Sequence, residues 1–247
     1  MVASYDGLRD DELARRLGVP IVVAFDVVGS TLDVAHTLAG EGAAAGTLVV
    51  ADAQSAGRGR HGRAWRSESG GGIWLTLVER PRDTVALDVL SLRIGLALAP
   101  ALDAFAAESI RLKWPNDLYV AGVKLGGILV EARWRDGAPE WVAIGVGVNV
   151  RAPLGEARAT GLRAGVSRLD VLEALVPAIR DAASRTGALA PTELAAFAAR
   201  DLGVGRQCVE PLVGRVRGID ASGALLVDVG SRVTAVRAGS LVLLEEQ

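Results

Sequence analysis

The segment from residue 57 to residue 66 combines positive charge with glycine. It reads Gly57, Arg58, Gly59, Arg60, His61, Gly62, Arg63, Ala64, Trp65 and Arg66. Because like charges repel and glycine permits many backbone conformations, such a segment is expected to be mobile until an anion neutralises it. Gln54 before the segment and Trp65 within it add an amide and an aromatic surface. We therefore predict that this arginine–glycine loop binds an anionic ligand; a solvated basic loop is the alternative.

The glycine spacing in this loop matches two phosphate-binding patterns only superficially. Gly57, Gly59 and Gly62 fit G-x-G-x-x-G, but a dinucleotide site needs a helix that begins at the last glycine. The chain leads instead into the glycine triplet 70–72, so no helix is predicted there. A P-loop would need Lys and then Ser or Thr after Gly62, where this chain has Arg and Ala. Neither pattern explains the loop.

A second group of polar residues follows a predicted strand. Lys113, Asn116 and Asp117 lie in the run Lys-Trp-Pro-Asn-Asp, and Lys124 comes seven residues after Asp117. The Ala121-Gly122 turn would fold Lys124 back beside the first strand. The turn therefore brings an ammonium, an amide and a carboxylate together. An ordinary salt bridge between Lys124 and Asp117 is the simpler interpretation.

A third group lies on a strand further along the chain, Gly145-Val146-Gly147-Val148-Asn149. Its two glycines leave room for close approach to the backbone, and Asn149 supplies an amide. Plain strand packing explains the same pattern equally well. Alone, this segment does not decide between a binding site and a structural strand.

Taken together, these motifs resemble those of the biotin protein ligases. The resemblance is carried by the order and spacing of Gly29-Ser30-Thr31, Gln54 to Trp65, Lys113 to Asp117, Lys124-Leu125-x-Gly127-Ile128 and Gly145-x-Gly147-x-Asn149. It is dense over residues 20–150 and looser over the C-terminal part, where the family also has a β module. It implies an ATP-dependent ligase that activates biotin as biotinyl-5′-AMP and transfers it to a lysine of a biotin carboxyl carrier protein.

The resemblance also implies roles for individual residues. The residues implied to bind biotin are Ser30, Thr31, Gln54, Gly57, Arg58, Gly59, Arg60, Lys124 and Gly127. Those implied to bind ATP and the adenylate are Arg60, Trp65, Lys113, Asn116, Lys124 and Asn149. From the chemistry of the two steps we expect three catalytic residues, Lys124, Arg58 and Asp117, the last to orient or deprotonate the acceptor lysine. Biotin and ATP are the expected substrates with Mg²⁺ on the polyphosphate, and the sequence shows no dedicated metal ligands.

Three positions depart from the common family pattern. Leu32 stands where Asn commonly follows Ser-Thr, Gly126 where Ala is commoner, and His61 where Arg is frequent. The loss of the Asn removes one polar contact near the ligand. The other two changes are expected to be tolerated.

The elements that must position these residues are predicted from hydrophobic patterning. Helices are predicted over 10–17, from 31 to near 40, over 86–107, and over 166–200 with a division at 187–191. Strands are predicted over 21–28, 46–53, 73–79, 110–114, 122–134 and 141–150. The Asp136-Gly137 dipeptide predicts a hairpin between the last two strands. This pattern favours an α+β fold with a mixed or antiparallel sheet packed with helices, and the resemblance implies the class II synthetase-like fold of biotin and lipoate ligases.

The pattern of the sequence changes after Gly203. Four short β segments follow, at 209–216, 224–229, 232–237 and 240–244. Their spacing predicts a small SH3-like β-barrel. We therefore predict a catalytic domain over 1–202 and a C-terminal β domain over 203–247.

The composition of the 247-residue chain restricts its partners. A net charge of -2 gives no global attraction to nucleic acid or to an anionic membrane. The single cysteine, Cys208, excludes an internal disulfide. No signal-peptide pattern and no apolar run suited to a membrane span are recognised, so a cytoplasmic protein is expected.

Two alternatives remain open. A lipoate or octanoate ligase or transferase has the same fold but needs an apolar tunnel, whereas Ser30, Thr31 and Gln54 favour the ureido ring of biotin. A biotin-responsive repressor is disfavoured, because the 20 residues before Ile21 are too few for a three-helix DNA-binding module. The expected partner is the biotin carboxyl carrier domain of a biotin-dependent carboxylase, with no nucleic acid and no membrane. A homodimer formed through an exposed sheet edge is compatible with the sequence.

Overall fold

The computed structural model describes residues 4–81 and 83–244, which contain six α-helices and fourteen β-strands. The helices are α1 (Asp10–Leu17), α2 (Thr31–Gly40), α3 (Thr84–Asp88), α4 (Leu90–Asp103), α5 (Arg168–Ser184) and α6 (Pro191–Arg200). The strands are β1 (Ser4–Tyr5), β2 (Leu8–Arg9), β3 (Ile21–Val28), β4 (Thr47–Gln54), β5 (Gly72–Glu79), β6 (Arg111–Lys113), β7 (Asp117–Val120), β8 (Val123–Arg135), β9 (Ala138–Asn149), β10 (Gln207–Glu210), β11 (Gly214–Ile219), β12 (Leu225–Val229), β13 (Arg232–Val236) and β14 (Val242–Leu243). None of the helices in these described ranges is long and apolar enough to cross a membrane.

Seven strands form one mixed sheet in the order β3-β4-β5-β9-β8-β7-β6. Strands β3 and β4 run parallel and are joined through α2, whereas all other neighbouring pairs are antiparallel. Asp136 and Gly137 form the predicted hairpin turn between β8 and β9, with φ angles of 52° and 78°. A two-residue hairpin turn requires such left-handed conformations. The predicted α+β class with a mixed sheet is confirmed.

The two faces of this sheet carry separate apolar clusters. Side chains alternate along a strand, so Val142 of β9 faces one way and Ala143 faces the other. The larger cluster lies on the face covered by α1, α4 and α5, and the smaller one lies beneath α2. Gly145, Gly147 and Asn149 share the orientation of Ala143. The predicted site residues of β9 therefore lie on the face that carries α2.

The helix predicted over 86–107 is interrupted, and it ends earlier than predicted. Val89, with φ -108° and ψ 2°, separates α3 from α4. At the other end, Asp103 accepts hydrogen bonds from Ile110 N at 2.7 Å and from Arg200 Nη2 at 2.7 Å. These contacts turn the chain towards β6, so the prediction of one continuous helix is wrong. The short strand β7 was not among the predicted strands.

The C-terminal strands form a five-stranded antiparallel sheet in the order β13-β12-β11-β10-β14. The segment predicted over 209–216 is two strands, because Pro211 lacks an amide hydrogen and the chain bends at residues 211–213. A small β unit is confirmed, although the described strands do not close into a barrel. The division at 202/203 stays a prediction, and its outermost residues, 1–3 and 245–247, lie outside the described residues.

The C-terminal sheet is packed against α6 and against the β6–β7 turn. Trp114 Nε1 donates a hydrogen bond to Gly223 O at 3.0 Å. Val216 and Leu241 belong to the same buried cluster as the strands of the main sheet. This packing brings residues 240–242 to a cavity beside the start of α2.

Candidate active site

A cavity of about 380 Å³ opens beside the start of α2. This volume is within the range of about 300–1,000 Å³ that is typical of small-molecule sites. Its lining comes from the start of α2, the end of β4, the arginine–glycine loop, the β6–β7 turn, β8, β9, the segment 153–159 and residues 240–242. One cavity therefore gathers segments that are far apart in the sequence.

Hydroxyl and amide groups form one wall of the cavity, the hydroxyl–amide wall (Ser30, Thr31 and Gln54). Gln54 Oε1 accepts hydrogen bonds from Thr31 N at 2.9 Å and Thr31 Oγ1 at 3.2 Å, and Gln54 Nε2 donates to Ser67 Oγ at 2.8 Å. Ser30 is different, because it is only 1% exposed and its Oγ has no partner among the described residues. A buried polar group without a partner costs about 1–3 kcal/mol. This wall therefore offers an unmatched hydroxyl to a polar ligand.

The two ends of the arginine–glycine loop meet at the sheet. Gln54 N donates to Ser67 O at 3.2 Å, and Trp65 N donates to Gly57 O at 2.8 Å. A β-carbon at Gly57 would lie 2.5 Å from Trp65 O, so only glycine fits this crossing. Residues 60–62 form one 3₁₀ turn, and no α-helix follows in the described residues before β5. The rejection of the dinucleotide pattern, which rested on the missing helix, is thereby confirmed.

The guanidinium of Arg58 is engaged by two carboxylates. Its Nη2 lies 2.8 Å from Asp33 Oδ1 and 3.3 Å from Glu131 Oε2. Arg58 lines the cavity, but these carboxylates already compensate its charge. Its predicted catalytic role stays a prediction, and the contacts favour a role in holding the loop.

Arg60 is held by the β6–β7 turn. Its Nη1 donates to Asn116 Oδ1 at 3.3 Å. Asn116 is fixed in turn, because its Nδ2 donates to Ile128 O at 2.7 Å and its own O accepts from Ile128 N at 2.9 Å. Burial lowers the pKa of Arg60, while Asp117 acts in the opposite direction. A partly dehydrated cation is thus presented to the cavity.

Lys124 and Asp117 form an ion pair in the cavity lining, with 2.7 Å between Nζ and Oδ1. The predicted turn at Ala121-Gly122, with φ angles of 50° and 75°, folds β8 back so that Lys124 pairs with Tyr119. Lys124 Nζ also lies 5.3 Å from the centre of the Trp65 ring. The simpler expectation of a salt bridge is therefore observed. An anionic ligand would compete with Asp117 for the ammonium.

A second wall of the cavity, the cationic wall, is formed by Lys113, Asp117 and Lys124. Lys113 supplies its second ammonium. Its Nζ donates to Tyr119 Oη at 3.4 Å. Burial lowers the pKa of Lys113; Asp117 opposes this shift, and Lys124 and other cations add to it. An incoming polyanion would relieve the crowding of positive charge.

Two glycines on neighbouring strands make room for an aromatic ring. Gly127 of β8 pairs with Gly147 of β9. A β-carbon at Gly147 would lie 2.7 Å from the Trp65 indole, and one at Gly127 would lie 3.5 Å from it. Trp65 Nε1 has no partner among the described residues. The close approach permitted by the glycines is thus made by Trp65, and its contact with adenine stays a prediction.

Asn149 connects β9 to the irregular segment that follows it. The residue is 5% exposed, and its Nδ2 donates to Thr160 O at 3.0 Å. Thr160 N in turn donates to Lys124 O at 2.9 Å. Asn149 therefore holds this segment against the cavity, and its contact with adenine stays a prediction.

Nearly all of the predicted site residues lie together in the lining. They are Ser30, Thr31, Gln54, Arg58, Gly59, Arg60, Trp65, Lys113, Asn116, Asp117, Lys124, Gly127 and Asn149. Gly57 lies at the base of the loop instead, so its contact with biotin stays a prediction. Lining residues that no motif indicated include Pro153, Glu156, Arg158, Ala159, Ser240, Leu241 and Val242. They reach the cavity through chain packing, which leaves no pattern in the sequence.

The cavity offers little to a resident metal ion. Within residues 4–81 and 83–244, no group of three or more His, Cys, Asp or Glu side chains is placed to hold one. Asp117 and Glu156 line the cavity, but Asp117 is paired with Lys124. These residues do not form a cage for Mg²⁺, so no catalytic step is assigned to a protein-bound metal.

Residues 25–149 match the Biotin/lipoate A/B protein ligase family. A biotin--[acetyl-CoA-carboxylase] ligase of Mycobacterium tuberculosis is 38% identical over 224 residues, which cover 81% of this chain and 79% of that protein. A bifunctional ligase/repressor BirA of Bacillus spizizenii is 43% identical over 126 residues, or 51% of this chain. The match spans only 39% of that relative's length.

Solved structures agree in fold. The biotin protein ligase from Aquifex aeolicus in complex with biotin and ATP has a TM-score of 0.71 at 24% identity, covering 91% of this chain and 99% of that one. The biotin protein ligase from Leishmania major in complex with biotinyl-5-AMP has a TM-score of 0.60 at 25% identity, covering 92% and 99%. The matched residues 25–149 include the arginine–glycine loop and both walls of the cavity. The sequence match and the shared fold together establish that this chain belongs to the biotin/lipoate A/B protein ligase family.

Proposed function

We propose that this protein is an ATP-dependent ligase that activates biotin as biotinyl-5′-AMP and transfers it to a specific lysine of a biotin carboxyl carrier protein. The observation that carries the proposal is the buried, unpartnered hydroxyl of Ser30 in the cavity lining. The ureido group of biotin offers both hydrogen-bond donors and an acceptor, which would satisfy this hydroxyl. The dithiolane ring of lipoate and the chain of octanoate would leave it unsatisfied.

In the first step, a carboxylate oxygen of biotin attacks the α-phosphorus of ATP, and pyrophosphate leaves. Both reactants are anions, so positioning and charge compensation supply most of the catalysis. Lys124 would leave Asp117 and bridge the carboxylate and the α-phosphate. Arg60 and Lys113 would compensate charge on the phosphates. The Lys124–Asp117 pair supports this assignment, because it keeps a charged ammonium in the cavity lining before the ligands arrive.

The product of the first step is a mixed anhydride that water would destroy. An enzyme retains such an intermediate by excluding solvent around it. The arginine–glycine loop contributes Arg58, Gly59, Arg60, His61, Arg63, Ala64, Trp65 and Arg66 to the cavity lining. Its position supports a role as the cover of the intermediate.

In the second step, the acceptor lysine amine attacks the acyl carbon, an amide bond forms, and AMP leaves. A free lysine with a pKa of about 10.4 is deprotonated only to about one part in a thousand at neutral pH. Once Lys124 has turned to the ligand, the carboxylate of Asp117 is available to orient the amine and accept its proton. The ion pair of the free protein thus holds two groups that act in successive steps.

The partners are proposed on narrower grounds. The Mycobacterium tuberculosis relative is named for acetyl-CoA carboxylase, which supports a biotin carboxyl carrier domain as the acceptor. Mg²⁺ would enter as the counterion of the ATP polyphosphate. A cytoplasmic location, a homodimer and the absence of nucleic-acid binding stay predictions.

Exchange of labelled pyrophosphate into ATP tests the first step. We expect exchange that depends on biotin and is absent with lipoate or octanoate as the acid. Exchange supported by lipoate or octanoate alone would overturn the proposal in favour of the other branch of the family. Transfer is then tested by mass spectrometry of a carrier domain and of its variant without the acceptor lysine.

A further inference from the structure

We propose that Glu131 is a positioning residue that holds the arginine–glycine loop over the cavity by acting on Arg58. The inference rests on the proposed function, because it concerns the retention of the adenylate. Glu131 lies on β8, four residues after Gly127, and so points to the same face of the sheet. It is not itself part of the cavity lining.

Arginine side chains tie the loop to three neighbouring parts of the structure. On one side, Arg60 donates to Asn116 in the β6–β7 turn. On the other side, Arg58 Nη2 lies 2.8 Å from Asp33 Oδ1 of α2 and 3.3 Å from Glu131 Oε2. At the far end of the loop, Arg66 Nη1 donates to Leu154 O at 3.1 Å. Only Gly59 separates Arg58 from Arg60, so loss of the Arg58 contacts would loosen the start of the loop beside the cavity.

The carboxylate of Glu131 is oriented by a second, neutral contact. His36 Nε2 lies 3.0 Å from Glu131 Oε2, and Trp141 Nε1 lies 3.0 Å from His36 Nδ1. An indole N–H can only donate, so Nδ1 must be the acceptor and Nε2 must carry the ring proton. His36 therefore donates to Glu131. Trp141 is only 7% exposed, which fixes this chain of hydrogen bonds to the sheet.

These contacts distinguish Glu131 from an ordinary surface partner of an arginine. Its side chain is 35% exposed, against 64% for Asp33. Its Oε2 accepts from both His36 and Arg58, so the histidine holds the carboxylate at the place where the arginine meets it. Asp33 adds a negative charge beside Arg58, but Glu131 is the carboxylate whose position is held by a further hydrogen bond.

The test measures how fast gel-filtered protein releases biotinyl-adenylate. Glu131→Gln keeps the shape but removes the charge, and we expect release about threefold to fivefold faster than in the wild type. Arg58→Ala should accelerate release similarly, and the double variant should be no faster than Arg58→Ala alone. Glu131→Asp should restore part of the retention. In Glu131→Gln, the rate of adenylate formation at saturating biotin and ATP should stay within about twofold, because Glu131 does not line the cavity.

Glu173→Gln is the matched control, because Glu173 also pairs with an arginine, Arg16, and its side chain is 37% exposed. Its release rate should equal that of the wild type. Cleavage of the ligand-free loop by trypsin gives a readout without ligand, and Glu131→Gln should be cut faster there. Unchanged release and cleavage in Glu131→Gln, or additive effects in the double variant, would overturn the role of Glu131 and leave the proposed function standing. Failure of the wild type to form any adenylate would overturn the proposed function instead.

Discussion

The hydroxyl–amide wall and the cationic wall of the cavity are held in different ways. In the first, Gln54 is bonded to Thr31 and Ser67 by neutral hydrogen bonds that a ligand need not break. In the second, Lys124 is committed to Asp117 and must change partner when an anion binds. The first wall can therefore recognise a ligand without rearrangement, whereas in the second wall Lys124 must exchange its ion-pair partner. Recognition of biotin is thus assigned to the first wall, and both chemical steps are assigned to the second.

The largest effect is expected from Lys124→Ala at the cationic wall. The substitution removes the ammonium that bridges the reacting anions, so adenylate formation should fall by about a hundredfold to a thousandfold. The free energy of unfolding should change by less than about 1 kcal/mol, because the pair is partly exposed. Pyrophosphate exchange and thermal unfolding measure the two quantities. Arg16→Ala, outside the cavity lining, is the control, and normal exchange in Lys124→Ala would refute the assignment.

Asp117→Asn separates the two steps within the same wall. With preformed biotinyl-adenylate, transfer to the carrier lysine should slow by about a hundredfold, since the amide cannot accept the proton. Adenylate formation should suffer less, because Lys124 no longer has a competing partner. Single-turnover transfer and pyrophosphate exchange give the two rates. Equal losses in both would show that Asp117 only positions Lys124.

Ser30→Ala tests the hydroxyl–amide wall. The biotin KM should rise by about tenfold, since a buried hydrogen bond to the ligand contributes about 1–2 kcal/mol. The ligand-free protein should unfold at the same or a higher temperature, because the lost hydroxyl has no partner there. Thr31→Val is the contrast, because Thr31 Oγ1 is bonded to Gln54 and its loss should lower stability as well. A stability loss without a KM effect in Ser30→Ala would contradict the assignment.

The smallest effect is expected from the pH dependence of ATP binding. Burial lowers the pKa of Lys113, so this ammonium loses its proton at a lower pH than an ordinary lysine with a pKa of about 10.4. The KM for ATP should therefore rise as pH increases through that lowered pKa, by about twofold to fivefold. Lys113→Arg should flatten the profile, because arginine stays charged. A wild-type KM that falls as pH rises would contradict this role.

The sequence predicted the parts of the site that depend on local pattern. The Ala121-Gly122 dipeptide indicates a two-residue hairpin turn, and this turn brings Lys124 beside Asp117.

Leu32, a departure from the family pattern, is 4% exposed and would lie 3.2 Å from a β-carbon at Gly145. It joins the apolar cluster beneath α2, so packing gives this side chain a role in the core.

Contacts between distant segments could not be predicted in this way. Glu131 meets Arg58 across 73 residues, and no periodicity marks either as a partner of the other. The segment 153–159 has no regular structure, yet Asn149 and Thr160 hold it against the cavity. The prediction of one helix over 86–107 is wrong at Val89, whose backbone conformation interrupts the helix. Tertiary packing, rather than local preference, determines these features.

The proposed function requires the hydroxyl–amide wall and the cationic wall to bind the two ends of one molecule, biotinyl-5′-AMP. To test this directly, the protein is incubated with biotin, lipoate and ATP, separated from free small molecules and denatured. Mass spectrometry then identifies the small molecules that it releases. We expect biotinyl-5′-AMP at about one molecule per chain, and far less from Lys124→Ala after the same short incubation. Recovery of biotin and AMP only as separate molecules, or of lipoyl-AMP alone, would contradict the proposed function.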